Sequence, residues 1–114
     1  MLRIYSLKTC DTCKKAIKAL EGAGHDLEVV DIRADGLPRE VILELIAAHG
    51  VATVLNTRST TWRGLDEAAR AGAETPDGAA DLIAAHPTLM KRPAIISGGQ
   101  SQIGWSKAVQ AALL

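Results

Sequence analysis

The chain has 114 residues, which is enough for one domain with a proper core. Its 13 basic and 13 acidic residues cancel, so the charge argues against a nucleic acid or an anionic membrane surface as the main partner. Two cysteines are too few for a secreted disulfide scaffold, and there is neither a signal peptide nor an apolar run of about 20 residues. We expect a soluble, cytoplasmic monomer that forms a single domain over residues 1–114.

The first half of the chain alternates between strand and helix. Residues 1–7 have strand composition, and a helix is predicted from Asp11 until Gly22 and Gly24 end it. Residues 27–32 again have strand composition. Pro38 is predicted at the first position of a second helix, which Gly50 ends and whose buried face comprises Val41, Ile42, Leu45, Ile46 and His49.

The second half begins less regularly, over residues 51–64, and continues with a short helical piece around residues 65–71. Thr75 and Pro76 predict the start of a helix that Pro87 limits, with a buried face of Ala79, Leu82, Ile83 and His86. Residues 93–97 and 100–103 flank Gly98-Gly99, which predicts a β-hairpin. A last helix is predicted over residues 105–113.

The order of these elements predicts the fold class. A helical crossover makes the first two strands parallel, and a two-residue turn makes the last two antiparallel. The result is a mixed four-stranded α/β sheet, β-α-β then β-β-α, with a helical insert over about residues 36–90. Other small α/β domains share this order, but a C-x-x-C motif that opens the first helix indicates a thioredoxin-like fold.

Both cysteines lie in one stretch, Thr9-Cys10-Asp11-Thr12-Cys13-Lys14. Cys10 lies where the first strand ends and the helix begins, so free backbone N–H groups and the helix dipole favour its thiolate. Three lysines add positive charge around Cys10, namely Lys8, Lys14 and Lys15. The negative charge of Asp11 opposes their effect on the thiolate. We therefore predict a reactive Cys10 with a lowered pKa.

Cys13 is open to two interpretations, because it lies on the apolar face of the same helix. It is either a resolving cysteine or a buried core residue, since free cysteine is commonly buried. A zinc site would need two further ligands, and the three histidines have no paired spacing. We expect no metal.

Three segments, residues 10–16, 55–63 and 86–93, resemble the ArsC/Spx family in sequence and order. That family comprises glutaredoxin-like arsenate reductases, Spx transcriptional regulators and small relatives thought to be glutathione-dependent thiol reductases. The pattern Leu-Asn-Thr-Arg-x-Thr-Thr-x-Arg most resembles the small relatives. The resemblance implies that Cys10 is the nucleophile and that Arg92 faces it and precedes a cis-proline, Pro93.

With Cys10, Cys13 and Arg92 as catalytic residues, we expect substrate binding by their neighbours and by two arginines of the central motif: Lys8, Thr9, Asp11, Thr12, Lys14, Arg58, Arg63 and Pro93. Arginines in polar loops are mostly solvated surface charges, so Arg58 and Arg63 depend on the resemblance. Asn56 is a competing match to the family arginine of this region.

Three functions follow from the resemblance. The first is thiol–disulfide reduction by Cys10, with Cys13 or glutathione as resolver, glutathione as co-substrate and no bound cofactor. The second is arsenate reduction, but a further arginine of the family's last hairpin region is missing, since none follows Arg92. The third is an Spx-like redox switch that binds the RNA polymerase α subunit. The C-x-x-C pair favours this third function. Spx proteins, however, have a longer C-terminal part than this chain, and for that reason we expect a reductase.

Overall fold

A computed structural model describes residues 1–114. The chain divides into two compact units, which we call the sheet unit (residues 1–35 and 92–114) and the helical unit (residues 36–91). The strands are β1 (Leu2–Ser6), β2 (Leu27–Asp31), β3 (Ala94–Ser97) and β4 (Gln100–Ile103). The α-helices are α1 (Asp11–Gly22), α2 (Arg39–His49), α3 (Val51–Val54), α4 (Thr60–Arg63), α5 (Glu67–Ala71), α6 (Pro76–Ala85) and α7 (Lys107–Leu113), with 3-10 turns at Gly72–Glu74 and Pro87–Leu89.

The sheet unit is built on four strands in the order β2-β1-β3-β4. β1 and β2 are parallel, with Ser6 opposite Asp31, whereas β3 runs antiparallel to both β1 and β4. The predicted parallel first pair and the predicted hairpin around Gly98-Gly99 are therefore confirmed. With α1 directly after β1, this mixed sheet has the thioredoxin-like α/β fold that the sequence predicted.

The core of the sheet unit explains why α1 has its position. Alternating residues of β1 and helix-spaced residues of α1 bury their side chains together with β3 and α7: the cluster comprises Leu2, Ile4, Ala16, Leu20, Ile95 and Val109. The same face of α1 buries Cys13. Burial of this face fixes the start of α1, and hence the C-x-x-C motif, at the end of β1.

The helical unit packs α2 against α6 through their apolar faces. Arg39 of α2 bridges to α6 on the exposed side, with its Nε 2.6 Å from Asp81 and its Nη2 3.2 Å from Asp77. At Gly78, α6 approaches the 3-10 turn Gly72–Glu74 closely. A Cβ at this position would lie 1.8 Å from the Gly72 carbonyl oxygen. None of the chain's helices has both the length and the apolar character needed to span a membrane.

Several details differ from the sequence predictions. Residues 51–64 contain two short helices, α3 and α4, where an irregular stretch was expected. Pro38 is the N-cap of α2, one position before the helix, and α7 begins at Lys107 after a Ser106 N-cap. His86 was predicted on the buried face of α6, but it is exposed because the helix ends at Ala85.

Candidate active site

Cys10 is the N-cap of α1. Its backbone is extended (φ −91°, ψ 111°), its N–H donates to the Leu7 carbonyl at 2.9 Å, and its carbonyl accepts the Lys14 N–H at 3.1 Å. Its sulfur accepts the Cys13 N–H at 3.4 Å, within reach of an N–H···S hydrogen bond. The side chain is half-buried. A sulfur in the N-cap position receives the positive end of the helix, which favours its thiolate.

Arg92 is far from Cys10 in the sequence, but both residues belong to the sheet unit and meet at the same site. The antiparallel register sets Ala94 of β3 opposite Tyr5 of β1, so the two residues before Ala94 run alongside the segment that leads to Cys10. The peptide bond between Arg92 and the buried Pro93 is cis, as predicted. The Arg92 side chain is half-buried and interacts with Cys10 by hydrogen bonding and charge.

These contacts separate the two cysteines chemically. Burial raises the pKa of Cys10, but hydrogen bonds from the Cys13 side chain and N–H, together with the hydrogen bond and charge of Arg92, lower it by more. The net pKa of Cys10 therefore lies below its usual value, as predicted from the helix start. Burial, then the hydrogen bond with Cys10, raises the pKa of Cys13 to about 12. Of the two cysteines, Cys10 is thus the one that ionises more readily, and Cys13 is the thiol that donates to it.

Asp31 supports this loop and was missed in the sequence. It is buried at the end of β2, where its Oδ1 accepts the N–H groups of Arg33 and Ala34, each at 2.9 Å. Its Oδ2 accepts the Lys8 N–H at 3.3 Å, two residues before Cys10. The Ala34 bond first, followed by those of Arg33 and Lys8, holds the pKa of this carboxyl below its usual range despite burial. A carboxylate at the carboxyl end of a strand that runs parallel to β1 was the available signal.

A groove of about 340 Å³ adjoins Cys13 in the sheet unit. Apolar side chains and two lysines line it beside the Asp31 carboxylate: Leu7, Ile17, Val29, Lys8 and Lys14 are among them. A cavity of about 380 Å³ lies around His25 and Gln100, but it contains neither cysteine and no arginine. Because nucleophile and cation meet at Cys10, we place the candidate active site there.

The other predicted site residues fall into two groups. Five flank the start of α1 with exposed side chains: Lys8, Thr9, Asp11, Thr12 and Lys14. Arg58 and Arg63 belong to the helical unit and are also exposed. Arg63 ends α4, where its carbonyl accepts Arg70 Nη2 at 2.9 Å. Substrate contacts by all seven stay predictions. No group of three or more His, Cys, Asp or Glu side chains could hold a metal ion.

Comparison with known proteins gives concordant results. The model of the ArsC family matches residues 5–113. An uncharacterized protein of Haemophilus influenzae is 40% identical over 115 residues and covers 98% of both chains. A global transcriptional regulator Spx of Streptococcus pyogenes is 27% identical over 109 residues, 94% of this chain and 80% of that protein. The solved structure of the YFFB (PA3664) protein has a TM-score of 0.91 at 36% identity, covering 100% of this chain and 99% of that one.

Proposed function

The chain belongs to the ArsC family, and from that premise we propose that it is a thiol–disulfide reductase with Cys10 as nucleophile and glutathione as reductant. One observation carries the proposal: the half-buried Cys10 sulfur accepts the Cys13 N–H and interacts with the Arg92 guanidinium. Thiol–disulfide exchange needs a thiolate, and a fixed cation beside it stabilises the negative charge before attack and again on release.

In the first step, the Cys10 thiolate attacks one sulfur of a disulfide R–S–S–R′. A Cys10–S–S–R bond forms as the R–S–S–R′ bond breaks, and R′–S⁻ leaves with the electron pair and takes a proton from solvent. A glutathione thiolate then attacks the sulfur of R, which releases the Cys10 thiolate and a second disulfide. Arg92 makes Cys10 the better leaving group in this step, because the thiolate with the lower pKa leaves faster.

Cys13 offers a second way to resolve the intermediate. Two of the effects that raise its pKa, the hydrogen bond and the charge of Cys10, depend on Cys10 being a thiolate. Once Cys10 is part of a mixed disulfide, its negative charge is gone. Of the effects that raise the pKa of Cys13, burial then remains. A Cys13 thiolate formed then attacks Cys10 and expels R–S⁻, leaving a Cys10–Cys13 disulfide for glutathione to reduce.

Turnover of a glutathionylated peptide, coupled to regeneration of glutathione, tests the proposal. Cys10→Ser should abolish turnover, whereas Cys13→Ser should retain it if glutathione is the main resolver. Lys18→Gln, an exposed change further along α1, is the control for handling and folding. Turnover that persists in Cys10→Ser would overturn the mechanism, and turnover lost in Cys13→Ser would replace glutathione by Cys13 as resolver.

An Spx-like regulator is the second candidate, supported by the 27% identical Spx relative and by the adjacent Cys10 and Cys13 thiols. In that function a Cys10–Cys13 disulfide would switch the affinity for the RNA polymerase α subunit. Pull-down of purified α subunit by the reduced and the oxidised protein separates the candidates, because a reductase predicts no redox-dependent capture. Arsenate reduction has less support, since no arginine follows Arg92 in the sequence to complete an oxyanion site.

A further inference from the structure

The cavity of about 380 Å³ in the sheet unit contains neither cysteine, and the proposed mechanism does not use it. We call it the hairpin cavity, because the β3–β4 hairpin forms one of its walls. The turn after α1, the start of β1 and the end of α7 form the others. Its volume is at the lower end of the range for sites that hold small molecules. Six of its lining residues are polar: His25, Asp26, Ser97, Gln100, Ser101 and Gln102.

The β3–β4 hairpin turns polar side chains toward the face of the sheet that α1 and α7 cover. Ile95 of β3 belongs to the core on that face, and the register pairs Ile95 with Gln102 and Ser97 with Gln100. Since paired residues and every second residue of a strand share a face, Ser97 and both glutamines lie on the same side as Ile95. Apolar side chains usually occupy the covered face of an antiparallel strand. Three polar side chains at the cavity wall therefore indicate a polar ligand rather than core packing.

Hydrogen bonds fix the wall opposite the hairpin. The His25 N–H donates to the Leu20 carbonyl at 3.1 Å, and the Leu2 N–H donates to the Asp26 carbonyl at 2.9 Å. The His25 ring connects this turn to α7, because its Nε2 lies 2.6 Å from the Leu113 carbonyl oxygen. The wall is therefore in place before any ligand arrives, and binding requires little further ordering of the backbone.

The hydrogen-bonding groups of the cavity define the chemistry of a ligand. A carbonyl oxygen only accepts, so Nε2 of His25 carries the proton toward Leu113, and Nδ1 of the neutral ring is an acceptor. The Asp26 carboxylate also accepts, whereas the two glutamine amides and the Ser97 hydroxyl both donate and accept. No lysine or arginine side chain lines the cavity to compensate the charge of a phosphate or a carboxylate. A matching ligand therefore combines donors with acceptors and has no negative charge, as hydroxyl groups do.

We propose that the hairpin cavity binds a small neutral molecule rich in hydroxyl groups, a polyol or a monosaccharide. Water hydrates a polar cavity in a free protein, and a ligand gains affinity only if it reproduces the hydrogen bonds of the water that it displaces. Hydroxyl groups can do so toward the amides, the Ser97 hydroxyl and the Asp26 carboxylate. The buried side chains of Leu2 and Ile95 also line the cavity and offer the C–H groups of such a molecule an apolar surface. The proposal does not depend on the reductase mechanism, because binding here requires neither cysteine.

NMR titration of the ¹⁵N-labelled full chain tests the proposal with a matched set of probes. Methyl α-glucoside, methyl α-galactoside and myo-inositol carry the hydroxyl groups, and tetrahydropyran has the ring of the glycosides without them. Backbone amides of residues 24–26, 97–102 and 112–113 should shift with saturation for at least one hydroxyl-bearing probe, and they should not do so for tetrahydropyran. The absence of saturation for all three hydroxyl-bearing probes, or equal binding of tetrahydropyran, would overturn the proposal.

Two variants of the cavity assign the binding to these residues. Gln100→Ala with Gln102→Ala should weaken binding about tenfold, the loss expected when the hydrogen bonds of two amides are removed. Ala112→Leu adds bulk to the lining from an exposed position of α7 and should abolish saturation. Gln110→Ala is the matched control, because it removes an amide of α7 that does not line the cavity, and its affinity should equal that of the wild type.

The ¹⁵N spectrum of each variant also shows whether it is folded, so a loss of binding is separated from a loss of structure. Wild-type affinity in either folded cavity variant would overturn the proposal. Turnover by Cys10 is measured in a separate assay, and no result of this titration changes the test of the reductase.

Discussion

Replacing Arg92 by glutamine tests the electrostatic basis of the site. The side chain hydrogen-bonds to Cys10 and adds its positive charge, and both lower the pKa of Cys10. A hydrogen bond to a charged group contributes about 1.5–3 kcal/mol. Cys10 is half-buried, so solvent screens part of this, and we take the lower end. About 1.4 kcal/mol is a tenfold change in the ionisation equilibrium, so Arg92→Gln should hold about one tenth of the thiolate at low pH.

The rate of alkylation by iodoacetamide measures this effect, because the reagent is neutral and does not itself interact with Arg92 by charge. A thiolate of higher pKa is intrinsically more nucleophilic, with a Brønsted coefficient of about 0.4–0.5. Below the wild-type transition the variant should therefore react about threefold more slowly, and above both transitions about threefold faster. The two pH–rate profiles should cross.

Peptide mapping must show that the label is on Cys10, since Cys13 is buried. Arg33→Gln is the matched control: Arg33 is exposed, and its contact with Asp31 is made by the backbone N–H. Its profile should superimpose on that of the wild type. A superimposable profile for Arg92→Gln itself would refute the role assigned to the Arg92 cation.

Three further substitutions give distinct outcomes. Cys13→Ala removes a side-chain hydrogen bond that lowers the pKa of Cys10, so the thiolate absorbance at about 240 nm should appear at higher pH; an unmoved transition would contradict this. Asp31 has a lowered pKa in the fold, so its stabilisation is present above about pH 4 and is lost as the pH falls through the folded pKa. Asp31→Asn should therefore reduce the loss of unfolding free energy at acid pH, which urea unfolding measures. An acid dependence equal to that of the wild type would contradict this prediction. Leu20→Ala, in the core, should cost about 2–5 kcal/mol of unfolding free energy, against almost nothing for the exposed Lys18→Ala.

Much of the fold could be predicted because its elements are long enough to show a period. The apolar spacing of α1, the two-residue turn at Gly98-Gly99 and the Thr75 N-cap are local signals, and the structure follows each of them. The position of Cys10 at the start of the helix follows from the same reasoning, since the strand before it and the helix after it were both predicted from the sequence. The cis bond before Pro93 came from the family resemblance.

The parts that were missed depend on short segments or distant pairings. Helices α3 and α4 have four residues each, too few to display a helical period. Asp31 contacts Lys8 only because the register of β2 on β1 brings the two strand ends together. His86 follows the spacing of α6 but lies just beyond its last residue, and helix ends are the least certain feature of such patterns.

The central claim is that Cys10 is the nucleophile. Brief reaction of the reduced wild-type protein with oxidised glutathione at mildly acidic pH, followed by peptide mapping under non-reducing conditions, tests it most directly. We predict glutathione on Cys10, or a Cys10–Cys13 disulfide that has replaced it, because Cys10 combines a lowered pKa with partial exposure, whereas Cys13 is buried. Glutathione on Cys13 with Cys10 still free would contradict the account, as would the absence of any modification.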